Sequence, residues 1–170
     1  MALHLKNTVY RAMNPRWARE PLSGEGASKY GGRFNPKGLS ALYCALSPVT
    51  ALRETNQVGS HQPTTLVAYH ADIDTIFDGR DDAALAEFAM TNKMLSDISW
   101  RERMYAGVEV PTHNLARALV GQNYNGLLVP SFARGATEDD ISLVLWKWSD
   151  KLPCKLEVID DENRLSLGLT

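Results

Sequence analysis

The sequence predicts a mixed α+β domain built on a curved, partly antiparallel sheet. Three observations predict it. Short runs of β-formers recur along the whole chain, among them "NTVYRAM" (7–13), "SALYCAL" (40–46) and "TTLVAYHADI" (64–73). Helix-patterned stretches lie between them without strict alternation, which argues against a pure series of βαβ units. The 170 residues, 44% hydrophobic and 22% charged, suit one domain with one core across residues 1–170.

The elements follow in order. Thr8, Val9 and Tyr10 make 7–13 a strand. Residues 14–40 hold many turn formers and little periodicity, so they read as a long loop, a kind that in compact domains is usually functional. After the strand at 40–46, "SPVTALRETNQVG" (47–59) is punctuated as a helix, with Ser47 at the N-cap, Pro48 at the first turn and Gly59 at the stop. Val49, Leu52 and Arg53 give that helix a modestly apolar face. The strand at 64–73 precedes helices over 82–95, 99–107 and 111–122. Asp81 or Asp82 caps the first, and Leu115, Leu119 and Val120 line the inner face of the last. Strands at 124–131, 140–148 and 155–160 complete the chain, with Leu143 and Leu145 on one face of the fifth.

Composition narrows the function classes. A net charge of −2 argues against bulk nucleic-acid binding. A local basic run, Arg16, Arg19, Lys29, Arg33 and Lys37, is interrupted by Glu20 and Glu25. Cys44 and Cys154 each sit in an apolar-leaning run and read as reduced, half-buried thiols. His4, His61, His70 and His113 are scattered, so no metal site is expected. No signal peptide is visible, and no run approaches the roughly 20 apolar residues of a membrane span. A cytoplasmic enzyme or binding protein, without membrane attachment, is the expectation.

Several polar residues are tied to framework elements. Arg11 ends the first strand, where an arginine can grip phosphate or carboxylate in bidentate fashion; it equally suits a sheet edge facing water. Arg33 follows Gly31 and Gly32, whose backbone can approach a ligand closely and form an anion nest; a solvated turn has the same composition. Tyr43 offers a flat face for stacking or a core ring with its hydroxyl at the rim. Glu54 is the only carboxylate within 48–58, able to stabilise positive charge or to sit exposed. Ser131 ends "GLLVPS" with no serine-hydrolase context, suited to holding a ligand amide or to a turn.

Taken in order, "VYRAM" (9–13), "GGRFNPKG" (31–38), "ALYCALSPVTALRE" (41–54) and "GLLVPSFAR" (126–134) resemble the RES-domain proteins, the toxin half of bacterial RES–Xre toxin–antitoxin pairs. By that resemblance Arg11, Glu54 and Ser131 match the Arg, Glu and Ser that name the family, and Arg33 and Tyr43 match further pocket residues. Phe34 stands where the family often has Trp, and Ser142 where it often has Asn. "RGATEDD" (134–140) makes the neighbouring loop unexpectedly acidic.

The resemblance implies an ADP-ribosyltransferase-like fold, a curved split sheet around a cleft that binds NAD as substrate. It implies cleavage of the nicotinamide–ribose bond by a glycohydrolase, phosphorolase or ADP-ribosyltransferase, without a metal. Nicotinamide leaves as a neutral group, so one carboxylate can suffice where glycosidases mostly need two. Glu54 would steady the ribosyl cation, Arg11 and Arg33 the pyrophosphate or ribose, Tyr43 the nicotinamide ring, and Ser131 the nicotinamide or the glutamate; Gly32 would admit the ligand. A helix-turn-helix antitoxin of the Xre type is the implied partner, with nucleic acid reached only through it. A nucleotide-binding module without turnover is the alternative from another class.

Overall fold

The computed structural model describes residues 2–55 and 62–165. Its strands are β1 (Ala2–Met13), β2 (Leu42–Ala45), β3 (Thr65–Asp78), β4 (Gly126–Pro130), β5 (Ile141–Leu145) and β6 (Cys154–Val158). The helices are α1 (Glu25–Tyr30), α2 (Pro48–Thr55), α3 (Asp82–Ala86), α4 (Asn92–Leu95), α5 (Trp100–Tyr105) and α6 (Pro111–Gly121). The α+β class is as the sequence predicts. The sheet, however, is not open: the order β1-β2-β5-β4-β3 returns from β3 to β1, so these strands form a ring, and β6 adds to β3.

Two features shape the ring. β3 pairs with β1 along nearly its whole length, from Ala2↔Phe77 to Met13↔Thr65. Its other edge is shared: Tyr69–Ile73 pair antiparallel with β6, then Ile76–Asp78 pair parallel with β4. The handover falls at Thr75, whose φ of 59° is unusual for a β-branched residue. Backbone bonds hold that bend from both sides, as Asn125 N–H donates to Thr75 O at 2.9 Å and Asp74 N–H donates to Pro153 O at 2.9 Å. The second feature is the seam between β1 and β2, joined at the single register pair Tyr10↔Ala45. The expected split therefore survives only as the loosest joint of a closed ring.

The period-2 alternation divides apolar residues between two cores. Val9, Leu42, Cys44, Tyr69, Ile73, Leu128, Leu143 and Leu145 fill the ring. Phe77, Leu127, Val129, Val144 and Trp146 face outward and are covered by Leu85, Leu95, Leu115 and Leu119 from the helices. Both thiols are free and fully buried, further in than the half-burial expected. Burial pushes the Cys44 thiol up to about 12, which keeps it protonated and inert.

Several boundaries differ from expectation. The long loop contains a 3₁₀ turn, Pro15–Trp17, and α1. The helix expected over 82–95 is two: Ala89 turns into the left-handed region with φ 54°, and Thr91 restarts the chain by accepting Met94 N–H at 3.2 Å. Asp81 caps α3, accepting Ala83 N–H at 2.9 Å. β5 stops at Leu145, where Trp146 and Lys147 turn their N–H groups to Asn125 O.

α2 begins as expected, with Ser47 Oγ accepting Thr50 N–H at 3.1 Å. Its Gly59 stop lies outside the described residues. The expected apolar face is inverted: Val49 and Leu52 are 55% and 38% exposed, while Thr50 and Ala51 are buried. Small residues face the strands because α2 lies close on β1, β2 and β5, and Thr50 has a buried polar partner described below.

Candidate active site at the ring seam

A cleft of about 1090 Å³ opens along the β1–β2 seam. Its walls are the Gly31–Phe34 loop, the end of α2, the segment from Ile98 into α5, and the ends of β4 and β5. Pockets of about 300–1,000 Å³ already enclose drug-sized ligands, so a dinucleotide-sized molecule is within its capacity. Arg11, Gly32, Arg33, Tyr43 and Glu54 all line it.

Glu54, in the last turn of α2, is held from the sheet side. Ser131 Oγ donates to its Oε1 at 2.5 Å, and Ser142 Oγ donates to the same oxygen at 3.0 Å. Hydrogen bonds to an ionised carboxylate are roughly twice as strong as neutral ones, and two on one oxygen fix its direction. Ser131 follows β4 and Ser142 lies in β5, paired across the sheet with Val129. Ser142, the residue expected to depart from the pattern, thus supplies a donor to Glu54 beside Ser131.

Arg33 reaches across the cleft. Its Nη1 donates to Leu95 O at 3.1 Å and to Asp97 O at 2.9 Å, and its guanidinium lies over the Phe132 ring, 5.1 Å from the centroid. Burial pulls its pKa down, and the charges of Glu54 and Asp97 act against that. It remains cationic at any physiological pH. Cation and carboxylate therefore face one volume.

The glycine loop is organised by Tyr43. Its hydroxyl donates to Asn35 Oδ1 at 2.6 Å and accepts Phe34 N–H at 3.0 Å. A Cβ on Gly32 would stand 2.5 Å from that hydroxyl, so Gly32 makes room for Tyr43. Gly31, with φ 73°, supplies the turn. Burial of its hydroxyl drives the Tyr43 pKa well up, so it stays a neutral donor. The ring itself borders the cleft. Arg11 has the inward parity of Val9 and Met13, and its Nη1 donates to Pro21 O at 2.9 Å, a carbonyl that also accepts the Tyr69 hydroxyl at 2.6 Å.

The RES domain family model matches residues 8–167. The chain belongs to the RES-domain family. A chain in the crystal structure of the M. tuberculosis MbcT–MbcA toxin–antitoxin complex is 21% identical, with a TM-score of 0.65, covering 94% of this chain and 84% of that one. At that identity the likeness is one of fold. No curated protein matches the sequence.

The RES-domain motifs thus converge in space, and Asn35 within GGRFNPKG together with residues outside the motifs completes the arrangement. Asn35 is wholly buried, and its Nδ2 donates to Ala27 O at 2.8 Å and Leu39 O at 2.9 Å. His113 Nε2 donates to Gly32 O at 2.7 Å, and Trp146 Nε1 donates to Phe34 O at 2.9 Å. Burial pulls the His113 pKa down, which favours the neutral ring with its proton on Nε2. The acidic loop that seemed out of place ends in Asp140, a buried carboxylate. Its Oδ1 accepts Thr50 Oγ1–H at 2.6 Å; its Oδ2 accepts Arg53 Nη1 at 2.6 Å and Thr137 N–H at 2.8 Å. Spacing could not expose Asp140, because Thr50 and Arg53 lie 90 and 87 residues away. Among the described residues no His/Cys/Asp/Glu group could hold a metal ion, and no helix is long and apolar enough to cross a membrane.

Asp140 gives this RES domain a defined acid response. The Thr137 N–H bond, then Thr50 and Arg53, hold its pKa down to about 2. A depressed folded value contributes stability that is complete above the unfolded aspartate value of about 3.9. That stability is lost as pH falls through about 2. The difference in urea midpoint between wild type and Asp140→Asn is expected to be largest above pH 5 and to shrink steadily toward pH 2. A difference independent of pH would contradict the assignment.

Proposed function

We propose that the chain is the toxin of a toxin–antitoxin pair and that it breaks the nicotinamide–ribose bond of NAD. The observation that carries this reading is the Glu54 carboxylate, held by two serine hydroxyls at the edge of a dinucleotide-sized cleft, with Arg33 opposite. Membership of the RES-domain family and a fold shared with a chain of a toxin–antitoxin complex support it.

Breaking the bond leaves positive charge on the ribose while nicotinamide departs neutral. The braced Glu54 oxygen is fixed before the reaction, so it stabilises that charge without reorganising. The carboxylate would accept a hydroxyl of the ribose. Arg33 would meet the pyrophosphate, with Arg11 at the far side of the seam, and Tyr43 would present its ring to the nicotinamide. Water, phosphate or a protein side chain then takes the ribosyl group. The partner would be an antitoxin of the Xre helix-turn-helix type, with both proteins in the cytoplasm.

Purified protein incubated with NAD tests the reading. Free nicotinamide is the expected product, and the ADP-ribose product with phosphate, without it, or with a lysate identifies the acceptor. NAD binding without nicotinamide release would instead support a non-catalytic nucleotide-binding module.

A further inference from the structure

We propose that Asp140 is a positioning residue that sets the Glu54 carboxylate and both of its serine donors through one buried clamp. The consequence for turnover rests on the NAD-cleavage reading above; the geometric claim does not.

The links run in two directions from a single residue, its carboxylate reaching α2 and its backbone reaching the sheet. Toward α2, Asp140 takes Thr50 on one oxygen and Arg53 on the other, and Arg53 immediately precedes Glu54. This fixes both the rotation and the depth of the helix that carries the carboxylate. Toward the sheet, Asp140 O accepts Ser131 N–H at 2.7 Å, and Asp140 immediately precedes β5, in which Ser142 lies two residues on. Ser131 and Ser142 both donate to Glu54. A shift at Asp140 would therefore move carboxylate and donors relative to each other. The closing turn is itself pinned, since Asp140 N–H donates to Thr137 O at 3.0 Å and Thr137 N–H returns to the carboxylate.

α2 needs such a clamp because its burial is polar and small. With Thr50 and Ala51 facing inward and Val49 and Leu52 outward, little apolar side chain holds its register. A charge-assisted bond within a buried site supplies the missing direction.

The test compares Asp140→Asn, Thr50→Val and wild type. Asn keeps the shape but loses the charge and one acceptor; Val removes only the hydroxyl and serves if the Asn variant does not fold. Misplacing a catalytic group by about 1 Å costs up to about 100-fold. Accordingly kcat for nicotinamide release is expected to fall about tenfold or more for Asp140→Asn, and less for Thr50→Val, with KM within about twofold. On a Glu54→Gln background, Asp140→Asn is expected to add no further loss. An unchanged kcat, an effect confined to KM, or full additivity with Glu54→Gln would each overturn the proposal. The geometric arm is independent of turnover: crystal structures of the variants are expected to show Ser131 Oγ or Ser142 Oγ outside hydrogen-bond distance of Glu54. Unmoved groups would overturn the proposal even with activity lost, whereas displaced groups with an inactive wild type would uphold it and discard only the NAD reading.

Discussion

Replacing Glu54 with glutamine is expected to reduce nicotinamide release from NAD by about 100-fold or more, with little change in KM. The substitution preserves size, and the new amide oxygen can still accept the Ser131 and Ser142 hydroxyls that bind Oε1. What it removes is the negative charge. That charge acts most strongly where the positive charge moves from the pyridinium ring onto the ribose beside Glu54, so the loss is expected to fall on kcat. Removing one preorganised electrostatic group commonly costs about 10²–10³ in rate. A folded Glu54→Gln protein that consumed NAD at the wild-type rate would remove Glu54 from the chemistry. A rise in KM alone would make it a binding group.

The largest effect on stability is expected at Asn35. Truncation to alanine removes a side chain that is 0% exposed and joined to Ala27, Leu39 and Tyr43. Ala27 O keeps the Gly31 N–H at 2.8 Å, so the penalty falls on the Leu39 carbonyl and the Tyr43 hydroxyl. Each buried group stranded in this way costs about 1–3 kcal/mol, which makes about 3 kcal/mol a fair total. For a domain of this size that lowers the melting temperature by roughly 6–12 °C. Tyr43→Phe, which keeps the ring, is expected to cost about 1–2 kcal/mol. Differential scanning calorimetry on the two variants checks the order. If Asn35→Ala melted no lower than Tyr43→Phe, the loop would have to be held elsewhere.

Local signals in the sequence carried the parts of the fold that local chemistry determines. Ser47-Pro48 starts α2 because a side-chain cap and a fixed φ act within one turn. The alternation of Leu143 and Leu145 with Val144 places β5 between two apolar regions. The break between α3 and α4 had a weak signal in Thr91, a capping residue inside a helix-like run. Ring closure had none, because which strand pairs with β1 depends on geometry far along the chain. The site divides in the same way. Arg33, Glu54 and Ser131 stand in motifs, whereas His113 and Asp140 stand outside them and, like Asn35 within GGRFNPKG, gain their roles only from partners brought together by folding. Val49 and Leu52 misled for a related reason: an apolar pair marks a buried face only where no buried carboxylate claims the opposite one.

The pairing of β2 has a consequence for how the molecule is made. β2 touches β1 at one register position, and its full partner is β5, about 100 residues later, at Leu42↔Leu145 through Ala45↔Ser142. At about 5–20 residues per second, a ribosome that has finished β2 needs roughly 5–20 s to deliver that partner. Until then α2 has neither Asp140 beneath it nor either serine beside Glu54. The carboxylate site is therefore a late product of synthesis, assembled after most of the polypeptide has emerged. If the chain cleaves NAD as proposed, this delay separates translation from activity. Nascent chains arrested before Asp140 are expected to be readily digested by protease and to release no nicotinamide.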